Sequence, residues 1–263
     1  MFTRRTFSTV LLAGVADLAS NSQERRSDDG PSKTIFVFTG MNNQESGSGR
    51  MAIGALTCTQ FLAHQRAIEE IRRKYRYYSR LLYRSTDKFR VPFANAVIDY
   101  FARHNDLRFT AYLFSGYDRD SELPLLRQQF VVVIERALAQ YHNGPKDAIV
   151  LHFRGLGWSR ADDLELVRYV KKQIPNVVYF TESGNRRLGL QKRPAGAARP
   201  APNNLAQLGG FLSGNAAALS DPPKEAAKQA LLKSLAVKLG VKDPSMSSYQ
   251  NNTKYRVTLR SYE

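Results

Sequence analysis

Ala148-Ile149-Val150-Leu151, residues 162–174 and Val177-Val178-Tyr179-Phe180 make up the stretch whose reading decides the fold. Both apolar tetrads read as strands, and the composition of the first is that of a strand buried on both faces. Between them, residues 162–174 carry a helical pattern that Pro175 ends. A strand–helix–strand unit implies parallel neighbours joined by a right-handed crossover.

The pattern extends outward from this unit. Upstream, residues 123–141 read as a helix stopped by Asn143-Gly144-Pro145, and residues 107–114 alternate as a third strand. Pro92 is suited to a helix start, and Phe93, Ala96, Val97, Tyr100 and Phe101 form an apolar stripe behind it. In residues 61–78, Phe61, Leu62, Ile68 and Ile71 face one way and Arg66, Glu69, Glu70 and Arg73 the other. Ile35-Phe36-Val37-Phe38 and residues 51–58 read as two strands paired in a hairpin. Downstream, residues 186–202 read as a loop, and helices over 205–219 and 224–239 are split by Asp221-Pro222-Pro223, with Gly240 as C-cap. One candidate strand, residues 255–259, lies in a polar tail. The expected architecture is α/β, a mixed sheet of about five strands flanked by helices, with the later strands as parallel neighbours. It forms one domain over 33–241, between an N-terminal segment, 1–32, and the tail, 242–263.

The 263 residues are 43% hydrophobic, enough for a sizeable core. No apolar run reaches the ~20 residues that cross a bilayer, so a soluble chain without a transmembrane segment is expected. Lys and Arg number 39 against 23 Asp and Glu, a formal net charge of +16. Such a field attracts polyanions, whether nucleic acid or an anionic envelope polymer. The lone Cys58 sits in an apolar run and reads as a buried structural thiol. The four histidines are scattered and no zinc spacing exists; no metal site is expected from them.

Thr3-Arg4-Arg5-Thr6-Phe7 and the short apolar run from Val10 resemble a bacterial twin-arginine export signal, with Arg4 and Arg5 as its pair. Asp17 interrupts the apolar run, and no Ala-x-Ala follows. The resemblance implies a periplasmic or exported protein; without a working signal the chain is cytoplasmic. Residues 20–32 read as a disordered linker.

The densest basic stretch holds Arg72, Arg73, Lys74, Arg76, Arg80, Arg84, Lys88 and Arg90, interleaved with Tyr75, Tyr77 and Tyr78. Arg and Lys hold phosphates and tyrosines stack on bases, which makes this the main polyanion-binding candidate. A solvated helix end with tyrosines in the core is the competing reading.

Gln44-Glu45-Ser46-Gly47 leading into Ala52-Ile53-Gly54-Ala55, then Val97-Ile98-Asp99-Tyr100-Phe101 before Asp106-Leu107-Arg108-Phe109, then Leu205-Ala206-Gln207-Leu208-Gly209-Gly210 come in an order and spacing that resemble the bacterial family catalogued as domain of unknown function 3800. The resemblance covers residues 34–240 and implies a ribonuclease H-like fold. It also implies acids on the first strand, the fourth strand and the last helix that hold two Mg²⁺ for hydrolysis. Here Gln44, His152 and Gly210 stand where those acids belong, and only Glu45 remains of the opening motif. Hard cations need oxygen ligands, so the expectation is a lost metal site and no cofactor. The alternative is a rearranged Mg²⁺ site built from Glu45, Asp147 and Glu182.

A hydrolytic triad of His152, Ser159 and Asp162 or Asp163 lacks a nucleophile elbow. Gly155-Leu156-Gly157 is an incomplete dinucleotide fingerprint beside Trp158, in a loop over 153–160 that adds a second candidate binding surface. Three readings remain: a non-catalytic ribonuclease H-like protein with a basic polyanion-binding surface, a metal-dependent nuclease with a rearranged site, and an exported envelope interaction protein.

Overall fold

The apolar run at residues 35–38 becomes the middle of β1 (Thr34–Asn43), which pairs antiparallel with β2 (Met51–Cys58), Phe36 opposite Cys58 and Asn43 opposite Met51. The computed structural model describes residues 33–43, 51–115, 123–141, 147–153, 160–174, 177–182, 203–242 and 245–261. After the hairpin come α1 (Phe61–Lys74), a 3-10 turn (Tyr83–Ser85), α2 (Val91–Arg103), β3 (Arg108–Ser115), α3 (Leu123–Ala139), β4 (Ala148–Phe153), α4 (Arg160–Gln173) and β5 (Val177–Glu182). The chain continues with α5 (Asn204–Ser220), α6 (Ala226–Lys238), α7 (Met246–Gln250) and β6 (Tyr255–Ser261).

The sheet has six strands in the order β5-β4-β1-β2-β3-β6. β2 runs antiparallel to both β1 and β3, while β4 is parallel to β1, β5 to β4 and β6 to β3. The strand–helix–strand unit at the end is parallel as expected. The third and fourth strands are not neighbours: β3 takes the free edge of β2, β4 takes the free edge of β1, and α3 packs over the strands between. The tail also belongs to the domain. Tyr255 and Val257 are fully buried, and the Tyr255 hydroxyl donates to Leu212 O at 3.0 Å. The candidate strand at residues 255–259 is present as β6, and its pairing with β3 carries the domain past the expected boundary at residue 241.

Side chains alternate between two cores. Phe36, Phe38, Leu56, Phe109 and Val150 pack with α1, α2, α5 and α6 through Ile68, Phe101, Phe211 and Leu235. Ile35, Val37, Ile53, Phe114 and Leu151 pack on the other face with Phe130 and Ile134 of α3 and Leu166 and Val170 of α4. All eight residues of β2 are buried, as a central strand covered on both sides requires. α2 has Pro92 in its first turn, and Gly240 past the end of α6 has a left-handed φ of 68°. Asn203 caps α5 by accepting from Ala206 N at 2.9 Å.

α5 is buried nearly all round and lies across β1 and β2. Two glycines set its depth. A Cβ on Gly40 of β1 would stand 2.8 Å from Gly210 Cα of α5, so helix backbone touches strand backbone. Gly40→Ala is expected to lower the unfolding free energy by about 1–3 kcal/mol in a guanidinium titration. An unchanged midpoint would show that α5 is free to lift off β1.

Candidate functional site

The three elements that the family resemblance assigns to metal binding do meet. Phe38 of β1 is paired with His152 of β4, and Gly40 of β1 touches Gly210 of α5. Aromatic rings fill this junction. Phe38 and His152 stack at 4.5 Å with an interplanar angle of 5°, and Phe61, at the start of α1, lies 5.7 Å from His152 and 5.1 Å from Phe36. His152 is 6% exposed, and burial pushes its imidazole down to about 4. A neutral imidazole, phenyl rings and glycine backbone do not fit Mg²⁺, which takes carboxylate and water oxygens. Among the described residues no three His, Cys, Asp or Glu side chains are grouped to hold a metal ion.

The rearranged metal site does not assemble as expected. Asp147 precedes β4, is buried, and faces Lys33 Nζ at 3.4 Å beside the start of β1. Glu182 is paired with Phe153 at the far end of β4. Six residues of strand at ~3.3 Å each separate the two levels by about 20 Å, far beyond a shared metal ion. Asp147 is therefore a buried ion-pair partner at the wrong end of the sheet. Glu45, Arg4, Arg5, Ser159 and Trp158 lie outside the described residues, as do the side chains of Asp162, Asp163 and Glu182.

The basic stretch divides into inward and outward residues. Arg72 is 2% exposed, which removes it from the candidate binding surface. Its guanidinium donates to Asn204 Oδ1 at 2.6 Å, Gln207 Oε1 at 2.7 Å, Ser79 O at 2.7 Å and Tyr77 O at 3.3 Å. It also lies over the rings of Tyr77 and Phe93, which stack on each other at 4.1 Å. Burial lowers its pKa, opposed by Glu69 and Tyr77. Arg72 thus ties the end of α1 to the start of α5. Tyr77 donates to Arg80 O at 2.7 Å, and Tyr83 packs on Phe211 at 6.0 Å. Arg90 is half-buried, 3.7 Å from Asp87 and bonded to Ser85 O.

Arg73, Lys74, Arg76, Arg80, Arg84 and Lys88 remain on the outside. Arg76 has a left-handed φ of 51°, which reverses the chain as α1 ends. Tyr75, Tyr78 and Phe89 are 41%, 76% and 81% exposed; with Val237 and Leu259 they are the exposed large apolar side chains among the described residues. Lys74 lies 5.9 Å from the centroid of Tyr75 and Lys88 5.0 Å from that of Phe89. Phe89 carries no signal in the sequence; its exposure beside Lys88 is what brings it in.

A second cluster joins distant residues. The Asp106 carboxylate accepts from Thr59 N at 3.0 Å, Gln60 N at 2.9 Å, Thr59 Oγ1 at 2.6 Å and His64 Nε2 at 2.9 Å. Burial opposes its ionisation, but these bonds hold it well below the usual carboxylate range. His64 Nε2 faces this carboxylate, and its Nδ1 is hydrogen-bonded to the Tyr100 hydroxyl at 2.7 Å. Asp106 caps the start of α1 and fixes His64, which fixes Tyr100.

No protein-family model matches the chain, and no curated protein matches it.

Two outcomes follow from this geometry. Arg72→Ala leaves Asn204 Oδ1 and Ser79 O without this donor and Gln207 Oε1 with Leu81 N alone, and is expected to cost about 3 kcal/mol or more by chemical denaturation, with Arg72→Lys recovering less than half. A loss under 1 kcal/mol would mean that α1 and α5 are held by other contacts. His152 is neutral when folded, while the unfolded chain takes up a proton at the ordinary histidine value. Its stability is complete above about 6.5 and is lost as pH falls towards about 4. The loss is about 3 kcal/mol over that window, and His152→Phe is expected to reduce the acid dependence by that amount. Parallel pH–stability curves for the two proteins would contradict the buried, neutral imidazole.

Proposed function

We propose that this chain is a non-catalytic protein of ribonuclease H-like fold that binds single-stranded nucleic acid along residues 73–90. An antiparallel hairpin feeding a parallel strand–helix–strand unit, with β4 against β1, supports the fold assignment. The phenyl, imidazole and glycine make-up of the junction between β1, β4 and α5 supports the loss of hydrolysis.

The observation that carries the binding reading is the exposure of Tyr75, Tyr78 and Phe89 within one basic segment. Large apolar side chains in water are unfavourable, and a charged segment that merely solvates a helix end has no use for three of them. Aromatic faces flanked by Lys and Arg are what a single strand requires: stacking for the bases and cations for the phosphates. An anionic envelope polymer has no planar bases to stack on the rings, so the aromatic residues favour nucleic acid over that partner. The inward set, Arg72, Tyr77, Leu81 and Tyr83, holds the segment in place beforehand and lowers the ordering cost of binding.

Fluorescence anisotropy with a labelled oligothymidylate tests the reading. Tyr78→Ala and Phe89→Ala are each expected to weaken binding by about tenfold, the equivalent of ~1.4 kcal/mol per stacked base. Arg80→Ala with Lys88→Ala is expected to flatten the plot of log affinity against log salt by about 0.7 for each phosphate no longer neutralised. Heparin bound as tightly as the oligonucleotide, with no effect of the aromatic substitutions, would leave an envelope-type polyanion as the partner. No binding at low salt would end the proposal. Mg²⁺ is expected to leave the strand uncut; cleavage that disappears in Glu45→Ala would restore the nuclease reading.

A further inference from the structure

Lys74 and Tyr75, where the basic segment begins, also line an open groove of about 780 Å³ bounded by α1, α2 and α6. Its volume is within the ~300–1,000 Å³ of small-molecule sites. Asp99, Tyr100 and Arg103 line it from α2, and Lys238 from α6. Asp99 bridges Arg103 at 2.5 Å and Lys238 at 2.6 Å, which holds both cations at the groove. Three cations against one carboxylate leave an excess of two positive charges. Arg103 keeps most of its five donors available on a side chain that is 73% exposed. Lys74 has no carboxylate partner among the described residues.

The aromatic part is preorganised. Tyr100 is locked by its hydroxyl bond to His64, which Asp106 orients, and the His104 ring lies 3.9 Å from Tyr100. His104 itself is held by its Nδ1 at 2.8 Å from Tyr100 O. Tyr75 faces the groove from the α1 side. A groove with fixed rings, a guanidinium and an ammonium, continuous with a strand-binding segment, suits one nucleotide of that strand. Two excess positive charges match a terminal phosphomonoester, which carries about −1.5 to −2 at neutral pH, better than an internal phosphodiester with a single charge.

We propose that this groove receives a phosphate-bearing terminal nucleotide of the bound strand, its base against Tyr75 and the Tyr100–His104 pair and its phosphate on Lys74 and Arg103. The inference rests on the nucleic-acid reading of residues 73–90 and goes beyond it by giving the strand a seated end.

The experiment compares anisotropy titrations of one oligonucleotide carrying a 5′-phosphate, a 3′-phosphate or hydroxyls at both ends. One phosphorylated end is expected to bind about tenfold tighter than the hydroxyl-ended strand, since a hydrogen-bonded charge contributes ~1.5–3 kcal/mol. Arg103→Ala is expected to remove the preference. Ser234→Glu, which places a negative charge in the groove one helical turn from Lys238, is expected to do the same. Tyr78→Ala should weaken all three strands and keep the preference. AMP is expected to abolish the preference at concentrations at least tenfold below inorganic phosphate. Equal potency of the two competitors would overturn the base contact and leave a bare phosphate site. Strands that bind alike whatever their ends would overturn the groove proposal and leave the segment reading standing. No binding of any strand would overturn both.

Discussion

The backbone contact between Gly40 and Gly210 is the constraint on which the rest of the structure turns. It seats α5 directly on β1, with Gly209 close to Phe38 O. At that depth there is no room for a side chain at position 40. The space beside the contact closes over with Phe36, Phe38, Phe61 and His152, a stack whose stability needs a neutral imidazole. A charged group in this buried junction would carry a desolvation cost.

The seated helix in turn fixes the basic segment. Asn204 and Gln207 project from the first turns of α5 and receive the Arg72 guanidinium, and Gln207 also accepts from Leu81 N at 2.8 Å. One side chain therefore joins α1, the loop after it and α5. Around that anchor, Tyr77 and Tyr83 turn inward while Tyr75, Tyr78 and Phe89 turn out. Cations and rings are displayed on a scaffold rather than on a free tail, which is the condition for stacking without a large ordering cost. The Asp106–His64–Tyr100 chain does the same for the neighbouring groove, carrying rigidity from the cap of α1 to an aromatic ring on α2.

The parts legible in the sequence are those governed by local pattern. The hairpin over residues 35–58, Pro92 at a helix start, Gly240 past a helix end and the parallel pair at residues 148–182 follow from alternation and backbone preference, and the structure contains each of them. The parts that were not legible depend on contacts between distant positions. The place of β3 beyond β2 is settled by which strand edges are free, and the candidate strand at residues 255–259 carries no local sign that it joins the sheet beside β3. Arg72 falls one helical turn after Ile68 on the inward face, but its charge reads as exposed; the partners that make it buried lie on α5, more than a hundred positions away. Asp147 and Glu182 look like possible companions until the strand between them sets their separation. The three residues of the Asp106 chain are spread over 42 positions and carry no motif.

Photo-crosslinking of a thiouridine-substituted single strand to the full chain, followed by peptide mapping, tests the central claim most directly, because it reports position without assuming an affinity. The account predicts adducts on Tyr75, Tyr78 or Phe89 and none on the α3–α4 side of the sheet. Adducts confined to α3 and α4, or spread evenly over basic residues irrespective of the rings, would show that the exposed aromatic segment is not where the strand lies.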